Sequence, residues 1–329
     1  MITLNDYLYS GDTIFKILQR YSNDLKQEAK LEHNEIDLYH ANFLLRMKEL
    51  LMHNEFLNAQ AEKIGEFYMY MSQKYPFLAF TFRGRIKSLI RTEEKFNGYI
   101  VKFIYNYYKE NNSYPSAAQI KNHLTRIRDS IAYRIVISLP KCQANGSESR
   151  KKQELEYIYE IANVLPEFFE EIGFTAELSD GSKMSTSPLL NDEVKAYYKD
   201  YISSPSPYGY QSLHITFFDN IARCYMEIQL RTKEMDDYAE IGPANHLGYE
   251  KRQEMERSRR GVVPVGECMY FDEAYERGMK LQGLELKDID VNMFSALDNN
   301  LINDGCGLYK GRLIRPYEHL SRFQNDIEG

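Results

Sequence analysis

The chain has no tryptophan and four scattered cysteines among its 329 residues. None of these cysteines belongs to a Cys-x-x-Cys pair, so the sequence predicts neither a disulfide framework nor a zinc site and fits a reducing compartment. No apolar run approaches the roughly 18 residues that span a bilayer. The first residues lack the basic and apolar regions of a signal peptide, and we therefore expect a cytoplasmic protein with no membrane partner.

An excess of positive charge is also missing, because the formal net charge is −7. This balance excludes a general attraction to nucleic acid, so a site for a polyanion has to concentrate its basic residues locally. The hydrophobic fraction of 43% is ordinary for a globular protein. A chain of this length is expected to form more than one domain.

Hydrophobic spacing divides the chain into three regions. Residues 1–76 show helical periodicity, residues 77–260 mix strand-like and helix-like segments, and residues 261–329 carry a weaker, mostly helical pattern. Strands interleaved with helices predict an α+β centre. We therefore expect a mixed central β-sheet flanked by helices, with helical extensions at both ends.

The strongest local signal is a strand-like run at residues 222–231, which contains Met-Glu-Ile-Gln-Leu-Arg. Successive side chains of a strand point to opposite faces, so Glu227, Gln229 and Arg231 share one face above an apolar one. Two interpretations are open. The polar face is either the floor of an active site or the solvent-exposed side of an ordinary half-buried sheet.

The preceding strand, expected near residues 210–218, contains further candidates. Tyr210 follows a flexible loop and can stack on a nucleobase, and Gln211 is its direct neighbour. His214 is an even number of residues from Tyr210 and should share its face. Taken alone, such a histidine is more often structural. A functional role for these residues is therefore supported mainly by the polar face of the strand that follows them.

Cations form a second group of candidates. Arg83, Arg85 and Lys87 alternate in a predicted strand, Ser88 comes directly after them, and Lys95 lies on the helix that follows. A row of cations with a hydroxyl group suits a chain of phosphates, because charge-assisted bonds to phosphate are strong. The alternative is a solvated edge strand whose charges discourage aggregation.

A carboxylate precedes the very apolar strand predicted at residues 131–139. Asp129 is well placed there to hold a metal ion, but aspartate is also common in turns. If Asp129 and Glu227 converge, the pair suits Mg²⁺, which takes one or two carboxylates and completes its shell with water and phosphate oxygens. Such an ion would offset charge on a transferring phosphoryl group.

Six short motifs occur together in one order along the chain. They are Arg85-Ile-Lys-Ser, Asp129-x-x-Ala-x-Arg134, Asp200-Tyr-Ile-Ser-x-Pro, Gly209-Tyr-Gln-Ser-Leu-His214, Glu227-Ile-Gln-Leu-Arg-Thr232 and Ala239-Glu-x-Gly-x-Ala-x-His246. Through these motifs the chain resembles, over roughly residues 80–250, the synthetase domain of RelA/SpoT-type enzymes, which make guanosine tetra- and pentaphosphate. The fold expected from the residues agrees with this resemblance.

The resemblance implies that the β,γ-pyrophosphate of ATP is transferred to the ribose 3′-hydroxyl of GTP or GDP, with Mg²⁺ as cofactor. It implies that Asp129 and Glu227 hold the metal and are the catalytic pair, with Glu227 also the general base. The residues implied in ATP binding are Arg85, Lys87, Ser88, Lys95 and Arg134. The residues implied in acceptor binding are Tyr210, Gln211, His214, Gln229 and Arg231.

The loop before Tyr210 departs from the family pattern. Members that use guanine nucleotides usually read Pro-Lys-x-Asn there, whereas this chain has Pro205-Ser-Pro-Tyr208, so Ser206 replaces a cation for acceptor phosphates. The departure leaves a second reading open, in which a toxic enzyme pyrophosphorylates the 3′ end of tRNA, or an adenine nucleotide, and inhibits growth. The basic run at residues 251–260 is then either a solvated helix end or a contact for tRNA.

Two expectations concern the ends of the chain. No His-Asp pair with metal-ligand spacing precedes residue 80, so we expect synthesis without hydrolysis, as in small monofunctional members. Residues 261–329 match no pattern of the family, and a regulatory, oligomeric or antitoxin-like role that occludes the site is open. Partners expected beside the substrates are therefore an antitoxin or other regulatory protein and a second copy of the chain.

Overall fold

The computed structural model describes residues 1–10, 12, 14–52, 54–86, 89–129, 131–144, 146–206, 209–221, 223–240, 268–282, 284, 308–309 and 312–313. Its helices are α1 (Asn5–Leu8), α2 (Ile14–Leu31), α3 (Glu35–Met52), α4 (Asn54–Lys74), α5 (Leu89–Asn111), α6 (Ala117–Leu124), α7 (Ser147–Glu171), α8 (Asp192–Lys195), α9 (Lys233–Glu240) and α10 (Met269–Gln282). Its strands are β1 (Ala79–Ile86), β2 (Ile131–Ser138), β3 (Phe174–Glu177), β4 (Tyr198–Asp200), β5 (Leu213–Asp219), β6 (Cys224–Thr232), β7 (Leu308–Tyr309) and β8 (Arg312–Leu313). These elements confirm the predicted α+β class.

The chain divides into two compact units, and each is assembled from separate segments. The first comprises Met1–Leu57, Lys87–Ile127 and Gly261–Gly311. The second comprises Asn58–Ile86, Arg128–Arg260 and Arg312–Gly329. These units do not follow the three consecutive regions expected from the sequence, and the domain assignment of those regions stays a prediction.

The second unit is built on a mixed β-sheet with the strand order β3-β5-β6-β2-β1, in which β8 also pairs with β1. β2 and β6 run parallel, whereas β1 with β2, β3 with β5, and β5 with β6 run antiparallel. β4 pairs with β5 beside this path. Parallel neighbours need a crossover connection, and the long segment between β2 and β6, which includes α7, provides it.

One face of this sheet is apolar and closely packed. Met226, Ile228 and Leu230 are at most 1% exposed. α7 packs against β2, β3 and β6, and its Phe169 ring stacks on Phe217 of β5 with the ring centroids 4.7 Å apart. This packing leaves the polar side chains of the same strands on the opposite face.

The strand register aligns the backbones of the predicted site residues in rows across the sheet. One row across β1, β2, β6 and β5 consists of Arg85, Ala132, Glu227 and Thr216. The next row consists of Arg83, Arg134, Gln229 and His214. Arg231 lies one row further, beside Val136. The shared face predicted for Glu227, Gln229 and Arg231 is thereby confirmed.

The first unit is helical in its described part apart from β7, and we call it the helical unit. α2 packs on α3, and α5 packs on α6 and α10. α10 contributes Leu281 to one apolar cluster of this unit and Phe271 to another. Between these contacts, the buried Arg277 donates from Nη1 to Asp37 Oδ1 at 2.6 Å and from Nη2 to Asp37 Oδ2 at 2.5 Å.

Some elements differ from the sequence-based expectation. β3 and β4 were not predicted, because strands of four and three residues are too short to show a clear alternation. The sequence also predicts a long helix that begins near Lys233 and runs toward Arg260, and α9 is described from Lys233 to Glu240. α10 agrees with the helical tail, although β7 and β8 also occur there. None of the described helices is both long and apolar enough to cross a membrane.

Candidate active site

Five residues predicted from the sequence form a closed ring of polar contacts on the polar face of the sheet. Arg231 Nη2 donates to Tyr210 Oη at 2.5 Å and to Gln229 Oε1 at 2.9 Å. Gln229 Nε2 donates to Glu227 Oε1 at 2.6 Å. His214 closes the ring of contacts, because its Nδ1 lies 3.4 Å from Glu227 Oε2 and its Nε2 lies 2.8 Å from Tyr210 Oη. We call these five residues the polar ring.

Charges within the polar ring shift two pKa values. Burial alone disfavours the cation of His214, but Tyr210 and Glu227 outweigh burial and raise the pKa of His214 to about 9. Burial alone would raise the pKa of Tyr210, but His214 and Arg231 outweigh it and lower that pKa below its usual value. At neutral pH an imidazolium therefore faces the Glu227 carboxylate.

The ring of Tyr210 has aromatic and cationic neighbours. Arg231 Cζ lies 4.9 Å from its centroid, at the distance of a cation–π contact. The ring of Tyr201 is 5.7 Å from Tyr210 and 5.0 Å from His214, centroid to centroid. The stacking role predicted for Tyr210 therefore requires a base to use the ring face away from Arg231, or to displace that guanidinium.

The loop that carries Tyr210 is closed by hydrogen bonds of its own. Ser206 Oγ accepts from the Tyr210 amide at 3.2 Å, and the Ser206 carbonyl accepts from the Gly209 amide at 2.9 Å. Gly209 has φ +74°, and a Cβ atom added there would lie 3.1 Å from Tyr238 Oη. Both the left-handed backbone and this close approach favour glycine. Gln211, the residue after Tyr210, is half-buried.

Asp200 anchors the start of the same loop. Its Oδ1 accepts from the amides of Ile202 and Ser203, each at 2.8 Å. Its Oδ2 accepts from Tyr159 Oη at 3.0 Å and from Ser185 Oγ at 2.5 Å. Asp200 is fully buried, so these four donors provide the solvation that its carboxylate has lost.

Asp236 is a residue of this region for which no role is predicted from the sequence. Thr232 Oγ1 accepts from the Met235 amide at 3.2 Å and starts α9 directly after β6. The turn brings Asp236 Oδ1 to 3.2 Å from Arg231 Nη1 and to 2.9 Å from Arg134 Nη1. The signal in the sequence was an acid in the first turn of a helix that follows a site strand.

Asp129 is half-buried just before β2. The register sets Ala132 beside Glu227, and Asp129 precedes Ala132 by three residues. If the two carboxylates converge, the pair matches the donor set of Mg²⁺; no group of three metal-ligating side chains occurs among the residues the structure describes. The convergence of Asp129 and Glu227 stays a prediction.

The other predicted ATP-binding residues are only partly placed. Arg134 is paired with Asp236, and the backbone of Arg85 lies in β1. Lys95 belongs to α5 of the helical unit, where its Nζ lies 5.3 Å from the ring centroid of Tyr99. The predicted features outside the described residues are Lys87, Ser88, Tyr208, His246 and the basic run 251–260. The ATP-binding role of the set stays a prediction.

Comparison with known proteins identifies one part of the chain. Residues 183–254 match the family model of a region found in RelA/SpoT proteins. This part of the chain is a RelA/SpoT region. It includes the whole polar ring together with Asp200 and Asp236, whereas Asp129 and Arg134 precede it. The resemblance predicted from the motifs is thereby confirmed over residues 183–254.

Individual relatives align with parts of the chain. GTP diphosphokinase CRSH1, chloroplastic, of Oryza sativa subsp. japonica is 32% identical over 142 residues, covering 41% of this chain and 22% of that protein. GTP pyrophosphokinase rsh of Brucella ovis is 44% identical over 59 residues, covering 18% and 8%. The chain thus spans less than a quarter of the length of these curated relatives. The crystal structure of small alarmone synthetase 2 from Bacillus subtilis aligns over 68% of this chain and 90% of its own, with 20% identity and a TM-score of 0.32.

Proposed function

We propose that this protein is a pyrophosphokinase that transfers the β,γ-pyrophosphate of ATP to a ribose 3′-hydroxyl, with GTP or GDP as acceptor. The single observation that carries the proposal is the polar ring, which lies within the RelA/SpoT region and organises the Glu227 carboxylate. Relatives named as GTP diphosphokinase and GTP pyrophosphokinase support the same reaction class. A cytoplasmic location and synthesis without hydrolysis remain parts of this proposal.

Glu227 is the proposed general base, and its neighbours suit that role. The facing His214 imidazolium favours the ionised carboxylate, which is the form that accepts a proton from the 3′-hydroxyl. Gln229 donates to Oε1 and orients the group, and the Glu227 side chain keeps 18% of its surface exposed. A substrate hydroxyl can therefore reach this carboxylate.

Phosphoryl transfer depends mainly on positioning and charge compensation. Asp129 and Glu227 would hold Mg²⁺, which when bound offsets the charge of the transferring phosphates. Arg134 and Arg231 place two guanidiniums on the same face of the sheet as Glu227. Guanidinium groups bind phosphate through directed, charge-assisted hydrogen bonds, so we assign Arg134 to ATP and Arg231 to the acceptor side.

A second candidate acceptor is favoured by one observation. Ser206, at the position of the missing lysine, accepts a hydrogen bond from the Tyr210 backbone instead of presenting a cation. A 3′-hydroxyl on tRNA or on an adenine nucleotide would then be the substrate, and the enzyme would inhibit growth. In that case an antitoxin or other regulatory protein is an expected partner, and the proposal leaves homo-oligomers open.

The acceptor can be identified with purified protein, Mg²⁺ and γ-labelled ATP. GDP, GTP, ATP and bulk tRNA are offered separately, and products are resolved by chromatography or gel. We expect label on a guanine nucleotide. Label on tRNA alone, or on ATP alone, would replace the guanine acceptor by the second candidate, and the absence of label on every acceptor would refute pyrophosphate transfer.

The role of Glu227 is tested by Glu227→Gln, which keeps the shape and removes the charge. We expect the transfer rate to fall by about 10²- to 10⁴-fold, as for the loss of a general base, while ATP affinity by calorimetry changes far less. The matched control is Glu160→Gln, which should keep wild-type turnover. Glu160 is an exposed residue whose carboxylate accepts a hydrogen bond from Tyr75 Oη. Retained turnover in Glu227→Gln contradicts the assignment.

A further inference from the structure

We infer that Asp236 is a positioning residue that presents Arg134 and Arg231 to the two substrates; the identity of those substrates rests on the proposed function. A single atom, Asp236 Oδ1, lies 2.9 Å from Arg134 Nη1 and 3.2 Å from Arg231 Nη1. The two arginines come from the parallel neighbours β2 and β6, whereas the carboxylate comes from α9. Asp236 is therefore the link between the two cations.

The cluster needs a counter-charge because it is shielded from water. Arg231 is 3% exposed and Asp236 is 4% exposed. A buried cation is costly without an anionic partner, and two guanidiniums on adjacent strands repel each other. Asp236 offsets both effects and allows Arg134 and Arg231 to occupy the same face.

The contact also orients Arg231 within the polar ring. Nη1 of Arg231 pairs with Asp236, whereas Nη2 donates to Tyr210 Oη and Gln229 Oε1. Because a guanidinium is planar and rigid, fixing one nitrogen fixes the direction of the other. Asp236 thereby acts on the proposed acceptor side through Arg231 and on the proposed ATP side through Arg134.

This role predicts a particular kinetic signature. Loss of the carboxylate releases both arginines, so the affinity for ATP and the affinity for the acceptor should fall together. Glu227 keeps its own contacts with Gln229 and His214, so turnover at saturation should change little. A purely structural residue would instead reduce the fraction of active enzyme, which lowers kcat and leaves KM unchanged.

The test compares Asp236→Asn with Asp237→Asn in the full chain. Asp237 is the next residue of α9, half of its side chain is exposed, and it pairs with Lys233. For Asp236→Asn we expect KM to rise about tenfold or more for both substrates, the size of one lost charge-assisted bond, with kcat within about threefold. Asp237→Asn should match the wild type, and Asp236→Glu should lie between Asp236→Asn and the wild type.

Several outcomes overturn the inference. The inference is overturned if the folded Asp236→Asn variant has wild-type KM values, or if its kcat falls while both KM values are unchanged. If circular dichroism shows that Asp236→Asn is unfolded, Asp236→Glu takes its place, with smaller increases of both KM values expected and wild-type values contradicting the role. If the wild type labels no acceptor, the proposed function fails, and the role of Asp236 is then tested by calorimetry of ATP binding alone. Binding of ATP that is about tenfold weaker to Asp236→Asn than to Asp237→Asn supports the inference. Equal affinity of the two variants for ATP overturns the inference.

Discussion

Glu273 is a residue whose surroundings favour its protonated form. Its carboxylate accepts from Asn34 Nδ2 at 2.6 Å, close to Asp37 and Arg277. Burial and the Asp37 charge raise the pKa of Glu273 from 4.5 to about 7, although Arg277 offsets part of this effect. The folded state therefore holds this proton more tightly than the unfolded chain does.

The contribution of Glu273 to stability depends on pH in one direction. It is present in full below pH 4.5 and is lost as pH rises through about 7. We predict that Glu273→Gln flattens this part of the stability profile, measured by urea unfolding between pH 4 and pH 8. Glu276→Gln, on an exposed position of the same helix, should keep the wild-type slope. An unchanged slope in Glu273→Gln would show that another group titrates.

The loop from β4 to β5 is an element whose shape depends on one buried side chain. Asp200 accepts hydrogen bonds from two backbone amides and two hydroxyl groups. The two bonds from backbone amides hold the turn at residues 201–204. The loop then continues to Tyr210. The order of the loop that carries Tyr210 is thus linked to a carboxylate outside the polar ring.

We predict that Asp200→Ala destabilises the protein by about 3 kcal/mol, because it leaves several buried donors without a partner, each costing about 1–3 kcal/mol. Chemical denaturation of the variant measures this loss. Asp192→Ala is the matched control, since the Asp192 side chain is almost fully exposed and pairs with Lys195. Equal stability of Asp200→Ala and Asp192→Ala would contradict the anchoring role.

The sequence predicted elements well where a repeating pattern existed. Alternation identified β6 and the face shared by Glu227, Gln229 and Arg231, because burial on one side imposes a period of two. The contact between Asp236 and Arg134 could not be predicted in this way. It depends on which strands pair and in which direction, and neither is encoded in the local spacing of residues.

At the scale of the whole molecule, α10 is a structural part of the helical unit. It adds Leu281 and Phe271 to the two apolar clusters of that unit, and its Arg277 makes a buried, bidentate pair with Asp37. Breaking such a pair by removing one partner leaves an uncompensated buried charge. The regulatory and antitoxin-like roles considered for residues 261–329 therefore have to be compatible with a packed helix at Met269–Gln282.

We predict that Arg277→Ala destabilises the helical unit by about 3–5 kcal/mol. Hydrogen exchange of amides in α2 and α5 reports on this unit directly and should become faster. Lys280→Ala removes an exposed cation from the same helix and should leave exchange unchanged. The double variant Asp37→Leu, Arg277→Met should recover most of the lost stability, since it removes both charges. Wild-type protection from hydrogen exchange in Arg277→Ala would refute the prediction.

The pairing of Asp37 with Arg277 also has a consequence for biosynthesis. The partners are 240 residues apart in the chain, and at about 5–20 residues per second a ribosome needs roughly 12–48 s to make that interval. During this delay the nascent N-terminal helices lack the helix that completes their core, and the strands from β1 to β6 are translated within the same interval. The packing of the helical unit is therefore completed only after α10, which ends at Gln282, has been translated, and its apolar clusters depend on protection by chaperones until then.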